Sequence, residues 1–227
     1  NEFTGYTYGS WSVSLTASSY TIGNTGGSVT LYPSASRPRY ANYTSGSNTR
    51  DGSDSATPSL STNGTSGFSL SGTTLSASEN TSTSSRSIRV FANYDGASDY
   101  VDITQGGASV SYNYYFYWNG AGASESIHHA ASGDTLSKTF ISYKKKVING
   151  SETSDTYDVG VSLSGTPFWS SVTVSGKTVS SKASENIEES SRSATVTVTQ
   201  SESGKKLTLD ITQNAATITY EYVFNLG

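Results

Sequence analysis

One long stretch of this chain occurs twice, and that repeat constrains the fold more than any other feature. The first copy runs from Ala77-Ser78-Glu79-Asn80 to Asp102-Ile103-Thr104-Gln105, and the second from Ala183-Ser184-Glu185-Asn186 to Asp210-Ile211-Thr212-Gln213. The copies are 106 residues apart at their start and 108 apart at their end, so the second contains a two-residue insertion. A domain-sized period predicts tandem copies of one module. We call residues 77–107 and 183–215 the first and second cassettes.

Both cassettes alternate apolar and polar residues with the period of a β-strand. Ile88, Val90 and Ala92 alternate with polar or aromatic neighbours in the first copy, and the second copy repeats the pattern with Ala194, Val196 and Val198. Such alternation marks a strand with one buried face. The pairs Asp95-Gly96 and Ser203-Gly204 follow, and glycine supplies the positive φ that tight hairpins need. Each module is therefore predicted to close with a β-hairpin.

The repeat predicts two domains in the 227 residues, 1–107 and 108–216, each of a common domain size. Residues 217–224 then repeat residues 109–116 at the same offset of 108. We therefore predict that residues 217–227 are the opening strand of a further repeat, or a strand exchanged with a neighbour. An unpaired aromatic strand would be an aggregation hazard, so we expect it to pair with the edge of its own module or with another copy.

Alternating apolar residues outside the cassettes predict further strands and no helix of consequence. The predicted strands are one at 28–32 that ends at Pro33, weak edge strands at 39–43 and 56–60, and a long strand at 135–146. Short turns near 121–131 are the helical candidates. With a hairpin closing each module, the strand count predicts an all-β chain of two tandem immunoglobulin-like antiparallel β-sandwiches.

Composition excludes several classes of protein. The 3 Trp, 16 Tyr and 7 Phe argue against disorder in a chain that is otherwise rich in small polar residues. A net charge of −4 creates no field that attracts polyanions, so we expect no nucleic-acid partner. Cysteine is absent, which excludes disulfides and thiolate metal sites. The lack of a long apolar run predicts no membrane insertion.

The cassette resembles the BACON-type immunoglobulin-like domain of gut Bacteroidetes and their phages. The resemblance lies in Ser-Glu-Asn-Thr-Ser-Thr-Ser-Ser-Arg (78–86), the alternating strand, the hairpin and Asp-Ile-Thr-Gln-Gly-Gly (102–107), with a second copy at 183–215. It implies a sandwich of about seven strands and a structural role for the Glu-Asn, Arg and Thr-Gln residues. It also implies an extracellular setting, beside glycan-degrading enzymes, in surface lipoproteins or in virions. Long insertions at 34–65 and 119–155 depart from the family pattern, and we expect any specific function there.

The sequence offers no arrangement of catalytic or metal-binding residues. His128 and His129 are adjacent, and adjacent side chains of an extended segment point to opposite faces, so the two cannot chelate one ion together. Even with Glu125 or Asp134, four zinc ligands at a suitable spacing are missing, so we expect a solvated loop, no metal and no cofactor. Neither a nucleophile-elbow motif nor a Cys nucleophile is present, which predicts that the chain is not an enzyme.

Two recurring sets of charged residues also have structural interpretations. Glu79 and Glu185 occupy equivalent positions near Arg86 and Arg192, so we interpret them as structural ion pairs or turn caps rather than glycosidase acids. The run Lys144-Lys145-Lys146 could contact an acidic polysaccharide. We favour the other interpretation, that the lysines prevent an edge strand from pairing with another chain.

Aromatic residues remain as candidates for ligand binding, because flat rings stack on the apolar faces of pyranoses. Tyr40, Tyr43, Trp118 and Trp169 are the candidate glycan contacts. Core packing is the alternative for each of them, since most aromatic residues of a sandwich are buried.

Two functions from different classes fit the sequence. The first is a non-catalytic structural and adhesion module of an extracellular protein, either a phage decoration or fibre protein on the virion surface or a bacterial cell-surface protein. It would act as a spacer and contact glycans. Its partners would be other copies or neighbouring structural proteins of a surface assembly, and cell-surface or mucin-type carbohydrate. The alternative is a carbohydrate-binding module of a glycan-processing enzyme. What the full gene encodes beside this segment would distinguish them.

Overall fold

Every regular secondary-structure element of the described chain is a β-strand. The computed structural model describes residues 1–46, 48–120 and 122–224. Its strands are β1 (Phe3–Tyr8), β2 (Ser12–Ala17), β3 (Thr21–Ile22), β4 (Gly27–Tyr43), β5 (Asn48–Ala56), β6 (Ser59–Thr62), β7 (Phe68–Ser71), β8 (Thr74–Ala77), β9 (Arg86–Tyr94), β10 (Ala97–Gln105), β11 (Val110–Trp118), β12 (Ser124–His129), β13 (Thr135–Ile148), β14 (Ser151–Asp158), β15 (Val161–Ser164), β16 (Ser170–Ser175), β17 (Thr178–Ala183), β18 (Arg192–Gln200) and β19 (Lys206–Gln213).

The strands belong to two compact units. Unit 1 comprises Asn1–Val110 and Ile148–Ser151, and unit 2 comprises Ser111–Val147 and the residues from Glu152 on. Each unit contains one cassette, which ends with β10 in unit 1 and with β19 in unit 2. The domain boundaries inferred from the sequence, at 107 and 216, stay predictions.

Unit 1 contains two sheets. In the first sheet β4 is the central strand, because β1, β2, β5 and β8 all pair with it, and β7 pairs with β8. The second sheet has the order β3-β10-β9-β6. Its ladders are antiparallel except for the short parallel pair of β3 with β10, where Ile22 lies opposite Gln105.

Unit 2 repeats this arrangement. Its first sheet has the order β11-β13-β17-β16, with β14 also paired to β13, and its second sheet has the order β12-β19-β18-β15. The parallel pair recurs between β12 and β19, where His129 lies opposite Gln213. The matched sheet orders confirm that the two cassettes close two copies of one architecture.

The core of each unit consists of side chains from both of its sheets. Leu31, Leu75 and Ile103 are among the buried residues of unit 1, and Phe140 and Leu209 are among those of unit 2. Full burial of one such side chain contributes about 1.5–3 kcal/mol. Two facing, mainly antiparallel sheets around one apolar core form an immunoglobulin-like β-sandwich, so the predicted fold class is confirmed.

The cassette residues form a hydrogen-bond network that is nearly identical in the two units. In unit 1 the buried amide of Asn80 donates to the carbonyl oxygens of Ser84 and Gly106, each at 2.9 Å. The buried Gln105 accepts a hydrogen bond from Arg86 Nε at 2.8 Å and donates to the backbone. Buried amides need hydrogen-bond partners. Through these bonds Asn80, Arg86 and Gln105 join the turn before β9 to the end of β10.

Unit 2 makes the same bonds with its own copies of the three residues. Asn186 donates to the carbonyl oxygens of Ser190 and Asn214, and Gln213 accepts from Arg192 Nε at 2.8 Å. The structural role expected for the motif is therefore observed. The predicted ion pairs with Glu79 and Glu185 are wrong: in the described chain the arginines instead donate to backbone carbonyl oxygens of the same turn.

One glycine in each unit allows the chain to approach the cassette closely. Gly26 has a φ of 93° and Gly133 a φ of 78°, values that side chains rarely tolerate. A Cβ atom would lie 2.7 Å from the carbonyl oxygen of Ala77 at Gly26, and 2.6 Å from that of Ala183 at Gly133. The two glycines therefore belong to the repeat, although they lie outside the cassettes.

The long strand β4 corrects the predicted stop at Pro33. On one side of β4, Pro33 lies opposite Leu15 of β2. On the other side, β8 pairs with residues 27–30 and β5 with residues 35–42, so Pro33 lies between two ladders, where its missing N–H is not needed. The strand predicted at 39–43 is the end of β4 and is not an edge, because β1 and β5 flank it.

The predicted helical turns at 121–131 are also wrong for the described residues, and Ala121 lies outside them. Residues Ser124–His129 form β12, which adds to the edge of β19. Ile127 and His129 are buried at alternate positions, as in a strand with one inner face. The segment is too short to compete as a helix with this backbone pairing.

Residues 217–224, which we call the terminal segment, belong to no strand in the described chain. Just before the segment, Ala216 donates its backbone N–H to the carbonyl oxygen of Glu188 at 2.8 Å. Within it, Tyr220 donates its hydroxyl to Glu189 at 3.2 Å. The predicted pairing with the edge of its own module is therefore wrong, and pairing with another chain stays a prediction.

Candidate functional site

A groove of about 570 Å³ lies in unit 1, where the residues between β1 and β2 meet the turn between β9 and β10. Its walls carry the rings of Tyr8 and Trp11, the guanidinium of Arg37 and the carboxylate of Asp95, with small residues between them. Asp95, with a φ of 47°, and Gly96, with a φ of 82°, form the tight hairpin turn that the sequence predicts. The turn places an exposed carboxylate beside two aromatic rings.

Arg37 is held in place by its neighbours. Its guanidinium carbon lies 4.0 Å from the ring centre of Tyr8 and 4.8 Å from that of Trp11. Its Nε and Nη2 atoms donate to one carboxylate oxygen of Asp54, at 3.2 and 3.0 Å. Trp11 in turn packs edge-on against Tyr94, with ring centroids 4.7 Å apart. These contacts preorganise the polar and aromatic groups of the groove.

Strand register explains why these side chains share one face. Tyr8 lies opposite Arg39 in the β1–β4 ladder, and Arg37 lies opposite Asp54 in the β4–β5 ladder. Residues two apart in a strand point to the same face, so Arg37 and Arg39 lie side by side. A register shift next to Arg39 leaves Asp51 as an extra residue of β5, and its carboxylate lies 3.2 Å from Arg39.

The row of rings continues along β1 beyond the groove. Arg39 lies 4.6 Å from the ring centre of Tyr6, and Phe3 packs edge-on against both Tyr6 and Tyr43. The rings of Phe3, Tyr6 and Tyr8 are about half exposed. We call this set the aromatic–arginine face; it comprises Phe3, Tyr6, Tyr8, Trp11, Arg37, Arg39 and Tyr43.

The charges on this face neutralise each other. Arg37 pairs with Asp54, and Arg39 pairs with Asp51 and, at 3.8 Å, with Asp54. Asp95 adds one more carboxylate at the groove. The face therefore has hydrogen-bonding groups in fixed positions without the excess positive charge that a sulfated or carboxylated ligand would require.

The second sheet of unit 1 carries another surface that combines an arginine, a carboxylate and an aromatic ring. Arg89 makes two parallel hydrogen bonds of 2.8 Å to Asp102 and lies 3.9 Å from the ring centre of Tyr100. The hydrogen bonds lower the pKa of Asp102 and raise that of Arg89. In unit 2 the residue opposite the equivalent Asp210 is Thr195, so this surface is specific to unit 1.

Unit 2 has an aromatic surface of different chemistry. Tyr115 and Tyr143 stack with centroids 4.7 Å apart and an angle of 13° between their planes. Glu152 accepts hydrogen bonds from Tyr115 at 2.6 Å and Asn113 at 2.9 Å, and Lys145 lies 3.1 Å away. The Tyr115 hydrogen bond, followed by those of Asn113 and Lys145, lowers the pKa of Glu152 to about 2. These groups satisfy one another.

The lysines at 144–146 lie on an internal strand, so their interpretation as an edge-strand device is wrong. β13 is flanked by β11 and by β14 and β17. Lys144 lies 4.5 Å from the ring centre of Tyr112 and pairs with Glu202 at 2.5 Å. Hydrogen bonding between the two raises the pKa of Lys144 and lowers that of Glu202.

The residues predicted from sequence as glycan contacts do not form one site. Tyr43 belongs to the aromatic–arginine face, whereas Tyr40, an odd number of residues away on the same strand, points to the opposite side. Trp118 is 0% exposed, packs against Phe140 and donates its Nε1–H to the backbone at 3.0 Å. Trp169 is 6% exposed and lies under Arg192. The predictions for Trp118 and Trp169 are wrong, because both rings are core residues.

The two histidines lie on β12 and point in opposite directions, as the sequence indicates. His128 is exposed, and its ring nitrogens lie 2.6 Å from Thr212 Oγ1 and 2.8 Å from Asn214 Oδ1. His129 is buried, so the expectation of a solvated loop is wrong for it. Its Nδ1 contacts the carboxylate of Asp134, and its Nε2 lies 2.8 Å from Ser181 Oγ.

The order Ser181–His129–Asp134 is the order of a hydrolase triad. Ser181 is completely buried, however, and its hydroxyl bonds to Ser170 Oγ at 2.7 Å, so no substrate reaches it in this structure. The three side chains therefore form a polar network, buried at His129 and Ser181 and partly exposed at Asp134, that satisfies its own hydrogen bonds.

The remaining candidate groups also have structural roles. Glu125, considered as an assisting ligand, pairs with Lys138 at 2.5 Å. Across residues 1–46, 48–120 and 122–224, no three His, Cys, Asp or Glu side chains are arranged to hold a metal ion. The same residues include no helix of the length and hydrophobicity needed to cross a membrane.

The sequence analysis did not identify Tyr8 and Trp11 as site residues. The sequence did contain one signal of this face. Two arginines, Arg37 and Arg39, are followed by Asp51 and Asp54, so a hairpin between them would bring two cations beside two carboxylates. Only the register of β4 with β1 brings the tyrosines to the same face. A bulge at Asp51 shifts the register of β4 with β5 by one residue, which counting along the sequence does not reveal.

Comparisons with known proteins give limited matches. No family model matches the sequence, and no protein of curated function matches it. Among solved structures, the chain is similar to a protein from Bacteroides vulgatus ATCC 8482 studied by NMR, with 29% identity, 48% of this chain and 93% of that chain covered, and a TM-score of 0.36.

Two other structures illustrate the range of the matches. Titin domains Z1Z2, crystallised in complex with telethonin, share 12% identity over 89% of this chain and 98% of theirs, with a TM-score of 0.39. The endo-fucoidan hydrolase MfFcnA9 of glycoside hydrolase family 107 shares 15% identity over 69% of this chain and 28% of that chain, with a TM-score of 0.28. Scores this low carry no functional argument, so the fold assignment rests on the sheets described above.

Proposed function

We propose that this chain is a non-catalytic, BACON-type structural and adhesion module of an extracellular assembly, on a virion or bacterial cell surface, and that it contacts neutral glycans through the groove of unit 1. The tandem sandwich architecture supports the structural part of the proposal. The groove formed by Tyr8, Trp11, Arg37 and Asp95 supports the binding part, and it is the observation that carries the proposal.

The chemistry of the groove fits a pyranose. The rings of Tyr8 and Trp11 provide flat apolar surfaces for the C–H faces of a sugar. The Arg37 guanidinium and the Asp95 carboxylate provide a donor and an acceptor for adjacent hydroxyl groups, as in polar small-molecule sites. Because Asp54 already neutralises Arg37, a neutral sugar fits better than a sulfated or uronic one.

Glycan titrations test this proposal. Neutral, uronic and sulfated oligosaccharides would be titrated into the protein while tryptophan fluorescence and calorimetric heat are measured. We expect weak binding of neutral glycans that changes the emission of Trp11, the tryptophan at the groove. Preference for the sulfated or uronic glycans, or no neutral glycan binding at all, would contradict the proposal.

Matched variants locate the site. Trp11→Ala should weaken neutral glycan binding by about tenfold or more, the equivalent of one stacking contact. The control is Tyr100→Ala, which removes an exposed ring from the other sheet of unit 1 and should leave the affinity within about twofold. Equal losses in the two variants would show that the groove is not the binding site.

The second candidate function, a carbohydrate-binding module of a glycan-processing enzyme, rests on the same groove. The two functions differ in what the full gene encodes beside this chain: further structural repeats for an assembly protein, or a catalytic domain for the enzyme. Sequencing that gene decides between them, whatever the titrations show.

A further inference from the structure

The terminal segment repeats the residue pattern of 109–116, most of which form β11. Tyr220, Tyr222 and Phe224 match Tyr112, Tyr114 and Phe116 at the offset of 108. The other positions, Thr217, Ile218, Thr219, Glu221 and Val223, replace Ser109, Val110, Ser111, Asn113 and Tyr115. Each of these replacements except Glu221 introduces a residue that is at least as favourable in a β-strand as the residue at the matched position. The matched aromatic residues alternate with the others, so they share one face of an extended chain.

β11 shows what this sequence does when its partner strand is present. It pairs with β13, and Phe116 packs edge-on against the buried Phe140 at 5.9 Å. Tyr112 lies beneath Lys144, and Tyr114 donates to Glu202 at 3.1 Å. The sheet thus contacts the aromatic face with one apolar side chain and one lysine–glutamate pair, and Tyr112, at 39%, is the most exposed of the three rings.

The same aromatic face is uncovered in the terminal segment. Tyr220 is 73% exposed, Tyr222 is 87% exposed and Phe224 is 92% exposed. A row of large exposed rings on a segment with strand-forming sequence is unusual for a surface with no partner.

The start of the segment adds a second observation. Ala108 in unit 1 and Ala216 in unit 2 donate the same backbone hydrogen bond, to the carbonyl oxygens of Ser82 and Glu188. At this turn, unit 1 has Thr81-Ser82-Thr83, whereas unit 2 has Ile187-Glu188-Glu189, with Ile187 72% exposed. The turn beside the segment has therefore gained one apolar side chain and two carboxylates, which suit a partner that is both apolar and basic.

We propose that the terminal segment is a docking strand for a further module of this same kind, and that it pairs antiparallel with the strand of that module that corresponds to β13. That strand matches the chemistry required, because in β13 Phe140 contributes the apolar contact and Lys144, which lies over the ring of Tyr112, contributes a positive charge. In a second copy of this chain the matching position is occupied, since β11 already pairs with that side of β13, and β1 and β2 pair with that side of β4.

A three-module chain tests the proposal. A second copy of residues 117–213 would follow Phe224 directly, so that the terminal segment takes the position of β11 in a module whose other strands are known to fold in unit 2. Amide hydrogens of residues 218–224 should then exchange about 100-fold more slowly than in the present chain. Fast exchange that persists at 218–224, with the appended residues folded or unfolded, would overturn the proposal.

A matched chain controls for the aromatic face. With Tyr220→Asp and Tyr222→Asp, the appended residues should lose both amide protection and their unfolding transition, while units 1 and 2 keep theirs. An appended module that is equally stable with and without these substitutions would show that the segment does not belong to its sheet.

Two measurements avoid any dependence on the appended module. First, five substitutions give residues 109–116 the sequence of the terminal segment: Ser109→Thr, Val110→Ile, Ser111→Thr, Asn113→Glu and Tyr115→Val. Unit 2 should retain cooperative unfolding, with a midpoint lowered by less than about 10 °C because the contacts to Glu152 are lost. Loss of cooperative folding would contradict the proposal.

Second, the present chain should sediment as a monomer. Self-association that Tyr220→Asp and Tyr222→Asp abolish would identify a second copy as the partner and overturn the proposal.

Discussion

The two units share the cassette network but differ in the residue that lies opposite its glutamine. In unit 1, Ile22 lies opposite Gln105 and belongs to the apolar core. In unit 2, His129 lies opposite Gln213 and contacts Ser181 and Asp134. β17 is two residues longer than β8, and the additional residues place Ser181 within reach of the histidine. The cassette network is therefore the same in both units. The position opposite its glutamine can hold an apolar residue, as Ile22 does, or a polar one such as His129 when polar side chains lie next to it.

The surfaces differ in a related way. The strand next to β4 or β13 contributes tyrosines in both units, and the central strand contributes cations. In unit 1 these cations are arginines, which stack on Tyr6, Tyr8 and Trp11 and leave an open groove. In unit 2 they are lysines, and Glu152 and Glu202 use the tyrosine hydroxyls as well. Similar sheets thus present an open polar groove in one unit and an internally satisfied surface in the other.

The largest expected difference between the units concerns their tryptophans. Trp118→Ala should destabilise unit 2 by about 3–5 kcal/mol, because it removes a fully buried ring and its hydrogen bond. Trp11→Ala should cost unit 1 no more than about 1 kcal/mol, because the ring is partly exposed. Urea denaturation, with amide exchange assigning each transition to its unit, measures both values. Equal costs would mean that Trp11 is a core residue and that the groove is part of the core.

The cassettes should respond equally in the two units. Asn80→Ala and Asn186→Ala each remove a buried amide that makes three hydrogen bonds to the backbone, and each should cost its own unit about 2–3 kcal/mol. Ser85→Ala and Ser191→Ala, which change exposed serines at matched positions of the same turns, serve as controls. A large loss in one unit and a negligible loss in the other would show that the shared network stabilises only one copy of the fold.

The fold was more predictable from sequence than the site. The repeat, the alternation around Ile88 and the Asp95-Gly96 turn are local or periodic signals, and they were sufficient for the fold class and the closing hairpins. The path of β4 through Pro33 depends on which neighbours it pairs with, and those neighbours are distant in sequence. Trp118 and Trp11 have the same chemistry and differ only in burial, which the packing of both sheets determines. Which aromatic residues form the site therefore depends on strand pairing and burial, which local sequence patterns do not determine.

The buried histidine network is a smaller difference that can be removed by substitution. His129→Ile gives unit 2 the residue of unit 1 and should cost about 1–2 kcal/mol, because Ser181 loses a buried partner. Adding Ser181→Ala and Ser170→Ala removes that hydroxyl together with the Ser170 hydroxyl that is bonded to it at 2.7 Å, and should restore most of the loss. Thermal unfolding of both variants measures the two effects. If the triple variant is no more stable than the single one, the serine hydroxyls are satisfied without the histidine, and the comparison with Ile22 does not hold.

The smallest expected difference is in acid stability. A carboxyl group whose pKa is lower in the folded than in the unfolded chain contributes stability at neutral pH, and that stability is lost as the pH falls through the folded pKa. Glu125, Glu152 and Glu202 of unit 2 have lowered pKa values, and in unit 1 the same shift is resolved for Asp102. Unit 2 should therefore lose more stability than unit 1 on acidification.

Glu152 defines the pH window. Its pKa falls from an ordinary 4.5 to about 2, so its contribution is complete above pH 4.5 and disappears between there and about pH 2. Glu152→Gln should lower the stability of unit 2 at neutral pH and flatten its decline over that window, while unit 1 declines as before. Because Tyr115 can still donate to the amide oxygen, the neutral-pH loss should be small. Unfolding midpoints of both units at several pH values measure this, and an unchanged slope in the variant would assign the acid sensitivity of unit 2 to its other carboxylates.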